Sequence, residues 1–229
     1  MELEGLFLLL ELLLYTGCFI CGIVTAASVT ILQGNFGGRC MLYGIVNYNK
    51  TQNIIGLQSS SPTSLCSFVS AISVLVAVVC FSLFMYWLYN CFIDGQIRRA
   101  RIWMTLTVGV CGVFLFFLLI TGCILKIGRD SLCASIVQNV GNISRCEQAQ
   151  NISWGPSLHG KQFYSSLHRA ETAVWVNFFF WLIVGVLEFF QWRQSSQLKF
   201  RDSAGGLFGE SAETPEESEP FFNRPRQSS

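Results

Sequence analysis

Four long stretches without a charged residue constrain the fold of this 229-residue chain more than any other feature. No Asp, Glu, Lys or Arg stands between Glu11 and Arg39, between Lys50 and Asp94, between Arg101 and Lys126, or from 172 to 187. A bilayer core about 30 Å thick needs about 20 apolar residues of helix to cross it. The chain is also only 13% charged, about half the fraction usual in soluble domains. The sequence therefore predicts a membrane protein with four spans.

The boundaries of these stretches divide the chain into two parts. The predicted membrane domain covers residues 1–201, with spans at about 10–31, 66–92, 102–125 and 173–192 and with outer loops at 33–64 and 126–172. Residues 202–229 are rich in Gly, Ser, Pro and Glu, which predicts a disordered acidic cytoplasmic tail. A cleaved signal peptide is the alternative for the first span. The acidic start MELEG and the length of the apolar stretch both speak against it.

Positive charge predicts which loops face the cytosol. The linker DGQIRRAR at 94–101 contains three arginines, and RQSSQLKFR after span four adds three basic residues. Lys and Arg concentrate at the cytoplasmic ends of spans. Three N-glycosylation sequons fall instead in the outer loops, at Asn49, Asn142 and Asn151. We therefore expect cytoplasmic termini, glycans at these asparagines, and residence in the plasma membrane or a secretory or endosomal vesicle.

The ten cysteines divide between the oxidising side and the membrane. Cys40 and Cys66 border the first outer loop, and Cys133 and Cys146 lie in the second, which fits two disulfides. Four cysteines allow three pairings. Cys40 and Cys66 lie at neighbouring helix ends, which favours their pairing. Cys133 and Cys146 are separated by only a short loop, which favours the second bridge. Five of the remaining cysteines are expected to be small packing residues within the spans: Cys18, Cys21, Cys80, Cys111 and Cys123. Cys91, at the cytoplasmic end of span two, is expected to be an unmodified thiol, with palmitoylation as the alternative.

The outer loops also carry signals of local structure. MLYGIVNY and NIIGLQ flank the polar NKTQN, which predicts a β-hairpin with Asn49 near its turn. Residues 163–171 are expected to extend the fourth span as a helix outside the membrane.

Several motifs in these loops resemble a known family. They are GRCMLYG at 38–44, SLC at 64–66 and again at 131–133, Cys146, and QFYSSLHRAETAVWVN at 162–177. Together they resemble the transmembrane protein 179 family, nearest to its B branch, over residues 11–192. The resemblance implies an all-α membrane fold, a claudin-like four-helix transmembrane bundle with a small disulfide-linked extracellular β-sheet cap. The resemblance implies no particular molecular activity.

The resemblance also has limits that bear on function. The usual claudin loop signature, a Trp followed by Gly-Leu-Trp and two cysteines, is absent, and the first loop contains no Trp. A paracellular barrier is therefore not expected. The Cys-Cys-Gly motif of tetraspanins is missing as well.

Span one carries a ridge of small residues spaced four apart: Cys18, Gly22, Ala26 and Thr30. Small residues allow transmembrane helices to approach closely. The ridge can serve as a dimer face or as a packing surface inside the four-helix bundle. We favour packing, because four connected spans must pack together in any case.

No motif in the sequence points to catalysis, a cofactor or a metal. Glu11 and Glu188 lie near the cytoplasmic ends of their spans, where an interfacial position is expected. The two histidines lack metal-ligand spacing. The predicted function is a non-enzymatic multi-pass protein that acts through protein contacts in trafficking, adhesion or as an auxiliary subunit. The alternative is an oligomeric channel or transporter. The expected partners are the lipid bilayer and a membrane or extracellular protein, with possible homo-oligomers and no nucleic acid.

Overall fold

A computed structural model describes residues 2–93, 101–141, 143–155 and 158–208, and it contains four helices long and apolar enough to span a membrane. The linker at 94–100, Asn142 and the tail from 209 onward lie outside the described residues. The helices are α1 (Glu2–Asn35), α2 (Thr63–Ile93), α3 (Arg101–Asn139) and α4 (Phe163–Phe208). The strands are β1 (Cys40–Asn49), β2 (Ile54–Ser61) and β3 (Ser153–Trp154). The predicted four-span architecture with a small sheet is confirmed.

Two helices run beyond the spans that hydropathy marks. α3 continues past residue 125 to Asn139, because Leu132 and Ile136 lie four residues apart on one buried face of this extension. α4 begins at Phe163, which confirms the predicted helical extension. It ends at Phe208, so residues 202–208 are helical although they were assigned to the tail. The compact unit ends at Phe189, and the segment after it is a unit of its own.

The end of α1 turns the chain into the sheet. Gly37 and Gly38 both have positive φ, at 63° and 79°, and the Gly38 N–H donates to the carbonyl of Gln33 at 2.8 Å. Glycine adopts this left-handed conformation without a steric cost, so it commonly ends helices. The helix therefore stops at Asn35, and β1 starts shortly afterwards at Cys40.

The sheet is three-stranded, in the order β1-β2-β3. β1 and β2 form the predicted antiparallel hairpin, with Val46 opposite Leu57 and a bulge between Cys40 and Ile45. β3 pairs in parallel with β2 through Ile55 and Trp154 and was not predicted, since a two-residue strand carries no periodicity.

The buried residues form two separate cores. One lies between the helices, where the Trp181 indole contacts the rings of Phe114 on α3 and Tyr15 on α1, with centroids 4.9 and 6.3 Å apart. The other lies between the sheet and the C-terminal end of α3, and it includes Phe36, Met41, Ile55 and Trp154. The second core is the scaffold of the candidate site.

The disulfide-braced cap as candidate functional site

The chain outside the spans forms one structure, which we call the cap: residues 36–62 together with 126–171. Two disulfides brace it. Cys40 is joined to Cys66, with Cα atoms 5.7 Å apart, and Cys133 to Cys146, with Cα atoms 5.2 Å apart. This is the local pairing that the loop geometry favoured. Each bridge ties a loop to a helix, because Cys66 belongs to α2 and Cys133 to α3.

Aromatic packing fills the interior of the cap around Trp154. Its indole packs against Phe36 and Phe163, with ring centroids 5.3 and 5.2 Å away. The indole N–H donates to the carbonyl of Ala149 at 3.1 Å. Gly160 lies so close that an added Cβ would overlap the indole ring. Residues from both loops therefore meet at one side chain, which fixes the loops relative to each other.

The outer edge of the sheet is closed by side chains from α3. The backbone N–H of Val46 donates to the Ser135 hydroxyl at 3.1 Å, and the Asn139 amide donates to the Val46 carbonyl at 2.9 Å. A free strand edge can pair with a strand of another chain. Ser135 and Asn139 occupy both hydrogen-bonding groups of Val46, at the centre of the edge strand. No pattern in the sequence identified these two residues.

A group of charged residues joins α3 to α4 at the base of the cap. The Arg129 guanidinium donates to the Glu171 carboxylate, and these side chains are only 14% and 10% exposed. Lys126 lies 3.9 Å from Glu171, and Arg129 also pairs with Asp130 at 2.9 Å. This group of charged residues was not identified from the sequence.

The tip of the hairpin presents the first sequon. Asn49 is exposed, and its side-chain carbonyl accepts hydrogen bonds from the Thr51 N–H at 3.1 Å and the Thr51 hydroxyl at 2.6 Å. Asn151 is exposed at the end of a short 3-10 turn (Cys146–Asn151). Asn142 lies outside the described residues. Both described acceptor side chains are therefore accessible on the cap surface.

The small-residue ridge of span one faces α2. A Cβ at Gly22 would fall 2.8 Å from the Ser73 carbonyl and 3.1 Å from the Ala77 side chain, so the two backbones are close. The Thr30 hydroxyl lies 3.3 Å from the Ser70 hydroxyl. Cys18 is fully buried in the helical core, and Ala26 is partly exposed beside Ala77. The ridge thus lies along the α1–α2 contact.

Two acidic side chains are buried within the helical bundle. Glu11 and Glu188 are both 2% exposed, a burial that their expected position near the span ends did not predict. Glu11 stands four residues before the buried Tyr15, and Glu188 stands four after the buried Val184, which places each carboxyl on an inward face. Neither side chain is free of interactions.

Chemical clusters are scarce in the described part of the chain. Among those residues, no group of three or more His, Cys, Asp and Glu is placed to hold a metal ion. His168 stacks on Tyr164 and lies 3.4 Å from Arg129, and His159 is exposed. The free cysteines described are Cys18, Cys21, Cys80, Cys111 and Cys123, which all lie in the spans.

Comparisons with known proteins agree with this architecture. A family model described as the transmembrane protein 179/179B claudin domain matches residues 7–221. Transmembrane protein 179B of Danio rerio is 60% identical over 218 residues, or 95% of this chain and 96% of the relative. The human protein of that name is 40% identical over 81% of this chain and 83% of its own, and the Mus musculus protein is 39% identical over 83% of each. No solved structure matches the chain.

Proposed function

Since this chain belongs to the transmembrane protein 179/179B claudin-domain family, we propose that it acts through protein–protein contacts of its cap. It is a non-enzymatic membrane protein with a trafficking, adhesion or auxiliary-subunit role. One observation carries the proposal: the two disulfides and the shared aromatic core hold both outer loops as one rigid surface. A preorganised surface loses little conformational entropy when a partner binds.

The exposed side of the hairpin is the part of this surface that favours a partner. Ile45 is an exposed large apolar residue on β1, next to the exposed Asn47. Since Val46 is hydrogen-bonded to α3 at the strand edge, contact through side chains is favoured over addition of a strand.

Proximity labelling from a peroxidase fused to the chain tests this surface. Ile45→Glu should remove a defined set of labelled proteins, whereas Val137→Glu, the same change at an exposed position of α3, should retain it. Retention of the full set by both variants would exclude the hairpin face. Failure of the wild-type chain to enrich any protein over a membrane control would contradict the proposed function.

We also propose that the cap faces the lumen or the cell exterior, with both termini cytosolic and glycans on the outer asparagines. The arginine-rich linker and the exposed Asn49 and Asn151 support this orientation. An epitope tag within 94–101 should be undetectable on intact cells, and amidase treatment should speed the protein on a gel. Surface detection of the tag would overturn the orientation. A triple Asn→Gln variant that migrates like untreated wild type would show that the acceptors are unused.

An oligomeric channel or transporter is the second candidate, and the buried Glu11 and Glu188 favour it. Ionisable groups inside a membrane protein often mark a transport path. Purified protein in liposomes should show no proton or cation flux above empty vesicles if the cap-contact function is right. Flux that is lost in Glu188→Gln would establish the transport function instead.

A further inference from the structure

An open groove between α1 and α2 is a feature of the lipid-facing surface that the proposed function leaves unexplained. It has a volume of about 570 Å³, in the range of small-molecule sites. Its walls come from the same spacing on each helix: Phe19, Ile23, Ala26, Ala27 and Thr30 on α1, and Ser70, Val74, Ala77, Val78 and Phe81 on α2. None of these ten side chains is charged.

The two ends of the groove differ in chemistry. At the cap end the hydroxyls of Thr30 and Ser70 lie 3.3 Å apart and bond to each other. At the other end the rings of Phe19 and Phe81 are in contact, with centroids 5.7 Å apart. Alanines line the middle, where their short side chains leave the space open. The groove is therefore apolar, with one polar end towards the membrane surface.

The hydroxyl pair differs from three other hydroxyls on α1 and α2. Thr16, Thr25 and Ser73 each donate to the backbone carbonyl four residues earlier, at 2.8 to 2.9 Å. Thr30 and Ser70 bond across the two helices instead. Two hydroxyls supply two donors, and one bond between them uses only one. The other donor and the spare lone pairs can bond to a ligand with a hydroxyl group at this end of the groove.

The length of the groove selects the kind of ligand. From Phe19 to Thr30 the helix rises about 16 Å, at 1.5 Å per residue. This matches half of a bilayer core of roughly 30 Å. The groove thus accepts a lipid of one leaflet that has a single small polar group and a body of leaflet length. A phosphate headgroup would have no basic side chain among the lining residues.

A second copy of the chain is a less suitable occupant. The closest-packing member of the small-residue ridge, Gly22, is already in contact with Ser73 and Ala77 of its own α2. We propose that the α1–α2 groove is a binding site for a membrane sterol, whose hydroxyl bonds to Thr30 and Ser70 and whose flat ring system lies on the alanines.

Photolabelling of the full-length chain in cell membranes tests this site. The probe is a photoreactive, alkyne-bearing cholesterol analogue, competed with unlabelled cholesterol. Val78→Trp fills the groove, and Val113→Trp adds the same bulk to a lipid-facing position on α3; the two valines are 58% and 54% exposed. Labelling of α1 and α2 peptides should fall at least fivefold in Val78→Trp and remain unchanged in Val113→Trp.

A second variant preserves volume and removes only the polar end. Thr30→Val combined with Ser70→Ala should reduce labelling by the sterol probe several-fold while labelling by a photoreactive phosphatidylcholine stays constant. Equal labelling of wild type and Val78→Trp would overturn the proposal. So would competition by phosphatidylcholine but not by cholesterol, or crosslinks in which the groove residues join two copies of the chain.

Discussion

The bundle and the cap are built from the same chain but are held together by different means. In the bundle, glycines let aromatic side chains approach neighbouring backbones. A Cβ at Gly17 would fall 2.6 Å from the Phe180 ring, and one at Gly122 would fall 3.3 Å from Trp175. The cap is stabilised instead by two disulfides, a buried ion pair and a core centred on Trp154.

This difference follows from the two solvents. Lipid tails are as apolar as leucine, so burial between helices gains little from the hydrophobic effect, and close contact decides the packing. The cap faces water, where burial of aromatic surface is strongly favourable. The cap is also small, and a small domain without a large hydrophobic core usually needs covalent bridges for stability. The same substitution should therefore have unlike effects in the two regions.

Truncation of an aromatic side chain is expected to give the largest difference in stability between the cap core and the lipid-facing surface of the bundle. Trp154→Ala removes the centre of the cap core and should lower its stability by about 4 kcal/mol. Phe116→Ala, at a residue 60% exposed to lipid on α3, should cost less than about 1 kcal/mol. Thermal unfolding of detergent-purified protein, followed by size exclusion, measures both. Equal shifts would contradict the role of Trp154 as the centre of the cap core.

Loss of a disulfide is the next largest expected effect. The chain-entropy relation gives about 3.5 kcal/mol for the Cys40–Cys66 bridge and about 3 kcal/mol for Cys133–Cys146, because the first closes the longer loop. Paired Cys→Ser variants should increase amide exchange in the cap and leave the spans protected. Cys123→Ala, at a free thiol in α3, is the control. Non-reducing peptide mapping that joined Cys40 to Cys133 or Cys146 would contradict the pairing.

The spans and the hairpin could be predicted from the sequence because the thickness of the bilayer sets the length of a span and the pleat of a strand sets the alternation of its side chains. Uncharged stretches reveal helices in lipid, and alternating apolar residues around NKTQN reveal strands. The seal of the β1 edge by Ser135 and Asn139 could not be predicted, since it depends on where α3 passes the sheet. The burial of Glu11 and Glu188 was missed for a related reason. Position along a span gives depth, whereas helix rotation decides which side faces the interior.

The charged residues at the base of the cap should differ in how much they stabilise the protein, because Glu171 is buried and Asp130 is exposed. Glu171→Gln leaves Arg129 without its buried partner and should destabilise the protein by roughly 3 kcal/mol. Asp130→Asn removes a carboxylate that is 55% exposed and should cost at most about 1 kcal/mol. Thermal unfolding at low and high salt compares the two. If Asp130→Asn is the more damaging change, the α3–α4 contact does not depend on the buried pair.

The smallest expected effect concerns the sheet edge. Ser135→Ala leaves the Val46 N–H without its acceptor, which should cost about 1 to 2 kcal/mol. Since 1.4 kcal/mol is a factor of ten, local exchange of the Val46 amide should rise about tenfold. Ser60→Ala, at an exposed position of β2, is the matched control and should change nothing. Exchange mass spectrometry of the peptide containing Val46 gives the answer. An unchanged rate in Ser135→Ala would mean that the amide is protected by burial, and the edge would then remain closed without the α3 side chains.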